Sequence, residues 1–378
     1  MVPLTLDRPP RPLRLSGAPL PVVGRLRAYV CGITPYDVTH LGHAATYVWV
    51  DAAARVLRAQ GTAVELTRNV TDVDDVLLAE ARRRGQSYDW LAALQKFSFD
   101  RTMTALRVRT PDAEPTARAA VGQVVQLAQA LLAVGAAYER DGSVYARTSA
   151  AAGRAGLTRA EALTRAAEYG DDPDDTRKDD PLDVAVWAGV TSSAAADEVS
   201  WPGPWGPGRP GWHAGCAAMV LSAYGSGVDL HGGGADLAFP HHACEALMAE
   251  TATGVAPFAR SWLRAGTVRI GGQKMAKSTG NLVLVDDLLS EHAPAVVRLA
   301  CLHRPWAQDW DFTPAELTRA GDTLERLYAA AARPGSAAAV AEVDATLLDD
   351  LDVPRAVVVA LAEGGPAARH LVEVLQLG

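Results

Sequence analysis

Residues 25–60, RLRAYVCGITPYDVTHLGHAATYVWVDAAARVLRAQ, decide the fold. The first six of them alternate and predict a strand, and CGITP at 31–35 predicts a turn. An Ala-rich stretch that opens at His40 predicts a helix to about residue 60. A second strand at 63–67 and a loop at 69–75 follow. This order of elements predicts an α/β protein with a doubly wound parallel sheet.

Composition places the chain among ordinary globular proteins. It has 378 residues, of which 49% are hydrophobic and 21% charged, so disordered, collagen-like and mini-protein classes are excluded. The net charge of −8 argues against a basic face for nucleic acid phosphates. Four cysteines and a Pro-rich start, with no apolar signal core, predict a reduced, cytoplasmic protein that does not enter a membrane.

Two motifs fit the binding of phosphate groups. His40 and His43 stand three apart at a predicted helix start, where backbone N–H groups favour anions. Lys274 and Lys277 follow a glycine pair, and they are two of only four lysines among 36 basic residues. Surface histidines and a solvated charge pair are the plain alternatives, but the scarcity of lysine favours a functional role.

Two further groups fit ligand binding. Glycines 232–234 with Asp236 follow a predicted strand, where a backbone can approach a nucleotide and a carboxylate can bind ribose hydroxyls. Cys31, Cys216, His241 and Glu245 form a soft donor set that suits Zn²⁺, although a buried cysteine is more often a small hydrophobic residue. Six of the nine histidines lie within 40–43 and 213–242, beside two of these cysteines, which favours a site.

Together the motifs resemble a known lineage. HLGH at 40–43 and KMAKS at 274–278 resemble the HIGH and KMSKS elements of class I aminoacyl-tRNA synthetases. Six segments narrow the resemblance to the cysteinyl-tRNA synthetase lineage, in matching order over about residues 25–305: CGITPYDVTHLGHAATY, RNVTDVDD, KDDPLDVAVW, GRPGWHAGCAAM, DLHGGGADLAFPHH and KMAKSTGNL.

The resemblance implies a Rossmann-like catalytic domain with an inserted connective region and a C-terminal helical bundle. Within this scheme, residues 86–140 read as mainly helical and the Pro/Gly/Trp-rich stretch 200–212 as an irregular loop. The expected division is an extended lead-in at 1–24, the first half of the catalytic domain at 25–120, the insertion at 121–200, the second half with the KMAKS loop at 201–285, and the helical region at 286–378.

Two families of this lineage compete, the cysteinyl-tRNA synthetases and the cysteine ligases of mycothiol biosynthesis. CGITPYD resembles the ligases, since the synthetases usually read CGPTVYD, and EYGDDP at 168–173 resembles their ERGGDP segment. From residue 313 onward there are ten Asp or Glu against five Arg and no Lys, which is a poor surface for tRNA, and the synthetases usually continue further. The ligase family implies ATP with Mg²⁺, L-cysteine and glucosaminyl-inositol as substrates, with tRNA as an unlikely partner.

The resemblance also implies roles for individual residues. The ATP phosphates would be contacted by His40, His43, Lys274 and Lys277, and one zinc ion would be bound by Cys31, Cys216 and His241, with Glu245 as a possible fourth ligand. The remaining residues match contacts to the bound cysteine, its adenylate and the adenosine: Cys31, Gly32, Ile33, Thr34, Thr46, Asn69, Val70, Thr71, Trp212, Gly234, Ala235, Asp236 and Val268.

Four positions depart from the family patterns. Gly215 and Ala243 stand where both families usually have Glu, and Ala276 replaces the usual Ser of KMSKS. Glu245 stands where the synthetases place a zinc ligand and the ligases usually have none. These departures leave three alternatives to the ligase open: cysteine transfer to another amine, charging of tRNA, and a catalytically inactive binding protein.

Overall fold

The computed structural model describes residues 11–190, 199–275 and 280–378. Lys277 and Ala276 lie outside the described residues, as do the first ten residues of the predicted lead-in and residues 191–198 of the predicted insertion.

Thirteen strands are present in the described part of the chain. They are β1 (Arg14–Leu15), β2 (Ala18–Pro19), β3 (Arg25–Ile33), β4 (Ala63–Val70), β5 (Ala137–Arg140), β6 (Ser143–Ala146), β7 (Val184–Gly189), β8 (Gly208–Pro210), β9 (Val228–Gly234), β10 (Ala259–Ala265), β11 (Val268–Ile270), β12 (Gln273–Lys274) and β13 (Trp310–Asp311).

Helices connect and cover these strands. They are α1 (Leu41–Ala59), α2 (Asp75–Arg84), α3 (Tyr88–Ala105), α4 (Val121–Ala133), α5 (Ala150–Arg154), α6 (Arg159–Glu168), α7 (Trp212–Tyr224), α8 (His241–Thr253), α9 (Val285–Glu291), α10 (Pro294–Leu302), α11 (Pro314–Ala331), α12 (Val340–Leu348), α13 (Val353–Glu363) and α14 (Gly365–Val374), with short 3₁₀ turns at Ala235–Ala238 and Ala337–Ala339. No helix of the described residues is long and apolar enough to cross a membrane.

The central sheet is parallel and covered on both faces. Its order is β10-β9-β3-β4, and Ala28 of β3 pairs with Leu230 of β9. Leu26 and Ala28 share one buried cluster with α1, whereas Tyr29 and Cys31 share another with α7. Alternate side chains of β3 therefore face opposite layers, which is the doubly wound arrangement that the sequence predicts.

Other sheets extend this core. Three strands of a four-stranded antiparallel sheet, β5-β6-β7-β8, lie in the predicted insertion, and the fourth, β8, lies beyond its boundary at residue 200. Strands β12-β11-β13 form a small mixed sheet. The described end of the lead-in is a hairpin of β1 and β2, with Leu13, Leu15 and Leu20 buried in the core. The proposed domain boundaries at 24, 120 and 200 fall between elements, and the one at 285 falls at the first residue of α9.

Three local expectations were wrong. Residues 106–120 are not helical, because Pro111 and Pro115 interrupt the helix and the segment instead hydrogen-bonds along the outer edge of β4. The stretch 200–212 contains β8, which pairs with β7. Glycines 232–234, expected to follow the strand, are its last three residues, since β9 extends to Gly234.

A buried arginine ties the C-terminal helices to the sheet layer. Arg298 of α10 is fully buried and donates to the carbonyls of Leu106 (3.1 Å) and Leu375 (2.6 Å). Its third partner is the buried carboxylate of Asp51 in the middle of α1. The guanidinium and its three partners are all hydrogen-bonded, so α1 is fixed from the side opposite the sheet. The candidate site at the N-terminus of α1 is therefore built on a firmly held helix.

Candidate active site

Most of the predicted site residues lie where the parallel strands end. The carboxyl ends of β3, β4, β9 and β10 meet at one edge of the sheet, as ligand-binding residues do in open α/β folds. Helices α1, α7 and α8 have their N-termini near the same edge or bring side chains to it.

The metal cluster, defined as Cys31, Cys216, His241 and Glu245, is buried within this edge. One potential ligand atom from each residue lies within 4.8 Å of all the others. Cys31 comes from β3, Cys216 from α7, and His241 and Glu245 from successive turns of α8. Two thiols, an imidazole and a carboxylate in a buried site are a donor set that fits Zn²⁺.

Short polar contacts in and beside the metal cluster centre on Glu245. Its Oε1 lies 2.7 Å from His241 Nε2 and 3.5 Å from Cys31 Sγ, and its Oε2 lies 3.0 Å from Nε2 of the buried His231. His241 Nδ1 is 2.8 Å from Nδ1 of His213, and burial, with nearby His241, lowers the pKa of His213 to about 3. A neutral His213 can accept from His241 and orient its Nε2 toward the other ligands.

Three histidines of the site escaped prediction as individual residues. His213, His231 and His242 are all buried beside the metal cluster, and His242 Nδ1 accepts a hydrogen bond from Arg264 Nε at 3.2 Å. Their only signal in the sequence is the concentration of histidine between 213 and 242. Cys244, by contrast, packs in the apolar core, and burial raises the pKa of its thiol to about 12.

We expect Glu245→Ala to change the coordination of bound zinc. If Glu245 is a ligand, X-ray absorption of the zinc-loaded, cysteine-free variant will show one protein ligand fewer, and zinc affinity will fall about 10- to 100-fold. Glu250→Ala is the matched control, because Glu250 lies on the same helix but bonds Arg154 and the Phe258 amide. An unchanged ligand count in Glu245→Ala would place Glu245 outside the coordination shell.

Trp212 forms a wall beside the metal cluster. It is the first residue of α7, and its ring stacks on His241 with centroids 4.3 Å apart and planes 24° apart. Glycine at position 211 allows the chain before Trp212 to pass close to β7, because a Cβ there would lie 1.8 Å from the Ala185 carbonyl oxygen. The indole thus covers one face of the His241 ring.

The ends of β3 and β4 are joined by polar contacts. Gly32 donates its amide to Asn69 Oδ1 at 2.7 Å, and Thr71 donates its amide to the Ile33 carbonyl at 2.9 Å. Gly32 is required, because a Cβ would lie 1.5 Å from the Asn69 carbonyl oxygen. The segments predicted to contact an adenylate are therefore adjacent in space: Cys31, Gly32, Ile33, Thr34, Asn69, Val70 and Thr71.

The histidine pair lies at the N-terminus of α1. His40 caps the helix by accepting from the Gly42 amide through Nδ1 at 3.1 Å, which leaves the proton on Nε2. His43 stacks on it with centroids 3.7 Å apart. Burial, and then His43, lower the pKa of His40 to about 3, so the ring is a neutral donor at pH 7. Thr46 lies one turn further along the helix.

Lys274 lies close to the predicted adenosine residues. Its Nζ is 2.6 Å from Asp236 Oδ2 and 3.0 Å from the hydroxyl of Tyr169, a residue that sequence reasoning did not assign to the site. A Cβ at Gly234 would lie 2.3 Å from Asp236 Oδ1, so a larger residue there would displace the Asp236 carboxylate. Ala235 follows in the same 3₁₀ turn as Asp236.

The segments around the KMAKS loop are anchored to the core. Val268 begins β11 and is buried, and Met275 is buried directly after Lys274. After the loop, the Val283 carbonyl accepts from the Leu41 amide at 2.9 Å. The loop is therefore held at both ends, and its second anchor is the first turn of α1.

Acidic residues near the motifs have structural partners. Asp74 caps α2 by accepting from the Val76 amide at 2.8 Å, and Asp72 accepts from the Arg118 amide at 2.9 Å. Asp37 pairs with Arg84 at 3.3 Å. Of the two positions where glutamate is usual, Gly215 has open space where a Cβ would stand, and Ala243 is buried.

The chain matches a known family over most of its length. The family of class I (C) tRNA synthetase catalytic domains matches residues 21–322. Proteins named L-cysteine:1D-myo-inositol 2-amino-2-deoxy-alpha-D-glucopyranoside ligase are similar to it. The protein from Frankia casuarinae is 45% identical, covering 90% of this chain and 76% of its own, and the protein from Streptosporangium roseum is 42% identical, covering 92% and 88%.

Solved structures agree on the fold. Mycobacterium tuberculosis methionyl-tRNA synthetase in complex with methionyl-adenylate superposes with a TM-score of 0.60 at 18% identity, over 94% of this chain and 82% of that protein. At this identity the likeness concerns the fold alone, and it places the sheet among class I synthetase catalytic domains.

Proposed function

Because the chain belongs to the class I (C) tRNA synthetase catalytic-domain family, and within it to the cysteine:inositol glucosaminide ligases, we propose that it joins L-cysteine to the amine of glucosaminyl-inositol in mycothiol biosynthesis. The observation that carries this function is 42–46% identity to ligases of that name over most of both chains. The reaction is ATP-dependent and forms AMP, with cysteinyl-adenylate as its intermediate.

In the first half-reaction, the carboxylate of cysteine attacks the α-phosphorus of ATP and pyrophosphate leaves. His40 Nε2–H and the backbone N–H groups at the start of α1 would stabilise the developing negative charge, and the Lys274 ammonium adds a positive charge. Asp236 and Tyr169 raise the pKa of Lys274 against the opposing effect of burial, so the ammonium is retained. Mg²⁺ would accompany the ATP, and Lys277 is the further candidate for phosphate contact.

Selection of cysteine is assigned to the metal cluster and Trp212. Zinc bound by Cys31, Cys216 and His241 would hold the substrate thiolate, which separates cysteine from serine because a hydroxyl is a harder and far less acidic ligand. Trp212 stacks on His241, and we assign its ring a place beside the bound cysteine.

In the second half-reaction, the sugar amine attacks the activated carbonyl and AMP leaves. Positioning of the two substrates is the main contribution we assign to the protein in this step. We propose a small-molecule acceptor in place of tRNA, because the C-terminal helices are acidic and repel a phosphate backbone. We propose the cytoplasm as the location of this reaction, because it keeps thiols reduced.

Acceptor-dependent release of AMP tests this proposal. With ATP, L-cysteine and zinc present, glucosaminyl-inositol is expected to stimulate steady release of AMP, whereas unfractionated tRNA is not. Stimulation by tRNA alone would make the protein a synthetase. Cysteine-dependent pyrophosphate exchange with no response to either compound would assign cysteine to a different amine.

A further inference from the structure

Tyr169 contacts the two halves of the proposed site at once. It directly follows α6, outside the central sheet, and is the C-cap residue of that helix. Its ring lies nearly parallel to that of Trp212, with planes 25° apart and centroids 6.2 Å apart. Since Trp212 stacks on His241, a row of three rings leads from the metal cluster outward to Tyr169.

The other end of Tyr169 reaches the KMAKS loop. Its hydroxyl accepts a hydrogen bond from Lys274 Nζ at 3.0 Å, and the same Nζ lies 5.0 Å from the centre of its ring. Lys274 Nζ is also 2.6 Å from Asp236, in the proposed adenosine region. About half of the Lys274 side chain is exposed, so these two contacts, and not close packing, define where the ammonium lies.

The chemistry of the contact suits a positioning role. Burial, followed by the nearby Asp236 carboxylate, raises the pKa of the Tyr169 hydroxyl, which therefore stays neutral at pH 7 and accepts from Lys274 without removing its charge. A hydrogen bond from a charged donor is stronger than one between neutral groups. The ring contributes separately, because an aromatic face attracts a nearby ammonium.

We propose that Tyr169 is a positioning residue that couples the cysteine pocket to the phosphate-side lysine, its ring contacting Trp212 and its hydroxyl holding Lys274. This role rests on the proposed function. If Tyr169 has this role, the inserted region forms part of the adenylation site. The hydroxyl acts on the ATP side of the site through Lys274, whereas the ring lies near both Lys274 and Trp212.

Pyrophosphate exchange with two variants separates these contributions. Tyr169→Phe retains the ring and loses the hydroxyl, so kcat/KM for ATP is expected to fall about tenfold while KM for cysteine stays within about twofold. Tyr169→Leu removes the ring as well and is expected to raise KM for cysteine too. Tyr145→Phe is the matched control, because its buried hydroxyl bonds Asp175 at 2.7 Å away from the site.

A double variant tests whether Tyr169 acts through Lys274. If it does, Tyr169→Phe will have no further effect in a Lys274→Met background, a result that a general structural role would not give. Normal ATP kinetics in Tyr169→Phe, improved ATP kinetics, or equal losses for ATP and cysteine would each overturn the inference. Absence of cysteine-dependent exchange in the unaltered protein would instead count against the proposed function itself.

Discussion

Replacing Cys216 with alanine is expected to remove zinc and, with it, activation of cysteine. Cys216 supplies one of two thiols in the metal cluster, and no neighbouring thiol other than Cys31 is within ligand distance among the described residues. Loss of a partner outside the coordination shell already weakens metal affinity 10- to 100-fold, so loss of a ligand is expected to cost more than about 100-fold. Elemental analysis will measure bound zinc, and pyrophosphate exchange will measure activation of cysteine.

Cys244→Ala provides the control for this substitution. Cys244 is equally buried and lies on the same helix as His241, but its side chain belongs to the apolar core. This variant is expected to bind one equivalent of zinc and to activate cysteine normally. Retention of a full equivalent of zinc by Cys216→Ala, with unchanged preference for cysteine over serine, would contradict the metal assignment.

The second large effect is expected at His40, and Asn is the informative replacement. His40→Asn keeps an oxygen that can accept from the Gly42 amide, so the cap of α1 is retained, but it removes the imidazole. Loss of one preorganised donor to a developing oxyanion costs about 100-fold or more in rate. Pyrophosphate exchange is therefore expected to fall by about that factor, with zinc content and thermal stability unchanged.

Two comparisons sharpen the His40 result. His40→Ala removes both the cap and the donor, so it is expected to show the same rate loss together with about 1 kcal/mol of destabilisation. His370→Asn, at a histidine paired with Asp344 in the C-terminal helices, controls for loss of a histidine elsewhere. Near-normal exchange in His40→Asn would limit the role of His40 to capping.

The central fold was accessible from the sequence because its signals are local. The alternation in β3 and the long apolar face of α1 each appear within a short stretch of sequence. The prediction of a class I synthetase fold is confirmed. Strand β10 was missed, since it is an edge strand whose Arg260, Trp262 and Arg264 side chains interrupt the apolar pattern. The position of β10 in the sheet depends on its pairing with β9, and one sequence alone does not show which strands pair.

Candidate site residues could be named from the sequence where their types are unusual. Contacts between residues far apart in the sequence could not be predicted. Lysine scarcity singled out Lys274, and soft donor types with clustered histidines singled out the four members of the metal cluster, to which the resemblance then gave roles. The contact between Lys274 and Tyr169 spans 105 positions and has no signature in either segment. His231 likewise gains meaning only from its position beside Glu245.

Family membership confirms the predicted lineage, while the individual roles of the site residues stay predictions. Glu245 is one of the positions that depart from the usual ligase pattern, and its carboxylate lies among the other three candidate ligands. A carboxylate of the protein and a substrate thiolate would compete for one tetrahedral position. The ligand count with and without cysteine will therefore show how this chain accommodates both.

Mass spectrometry of the reaction product tests the central claim most directly. The purified, zinc-loaded protein is incubated with ATP, L-cysteine and glucosaminyl-inositol, and the products are identified by mass. The account predicts an amide of cysteine with the sugar amine, formed in equal amount with AMP. AMP or cysteinyl-adenylate without that amide, or no consumption of ATP, would contradict it.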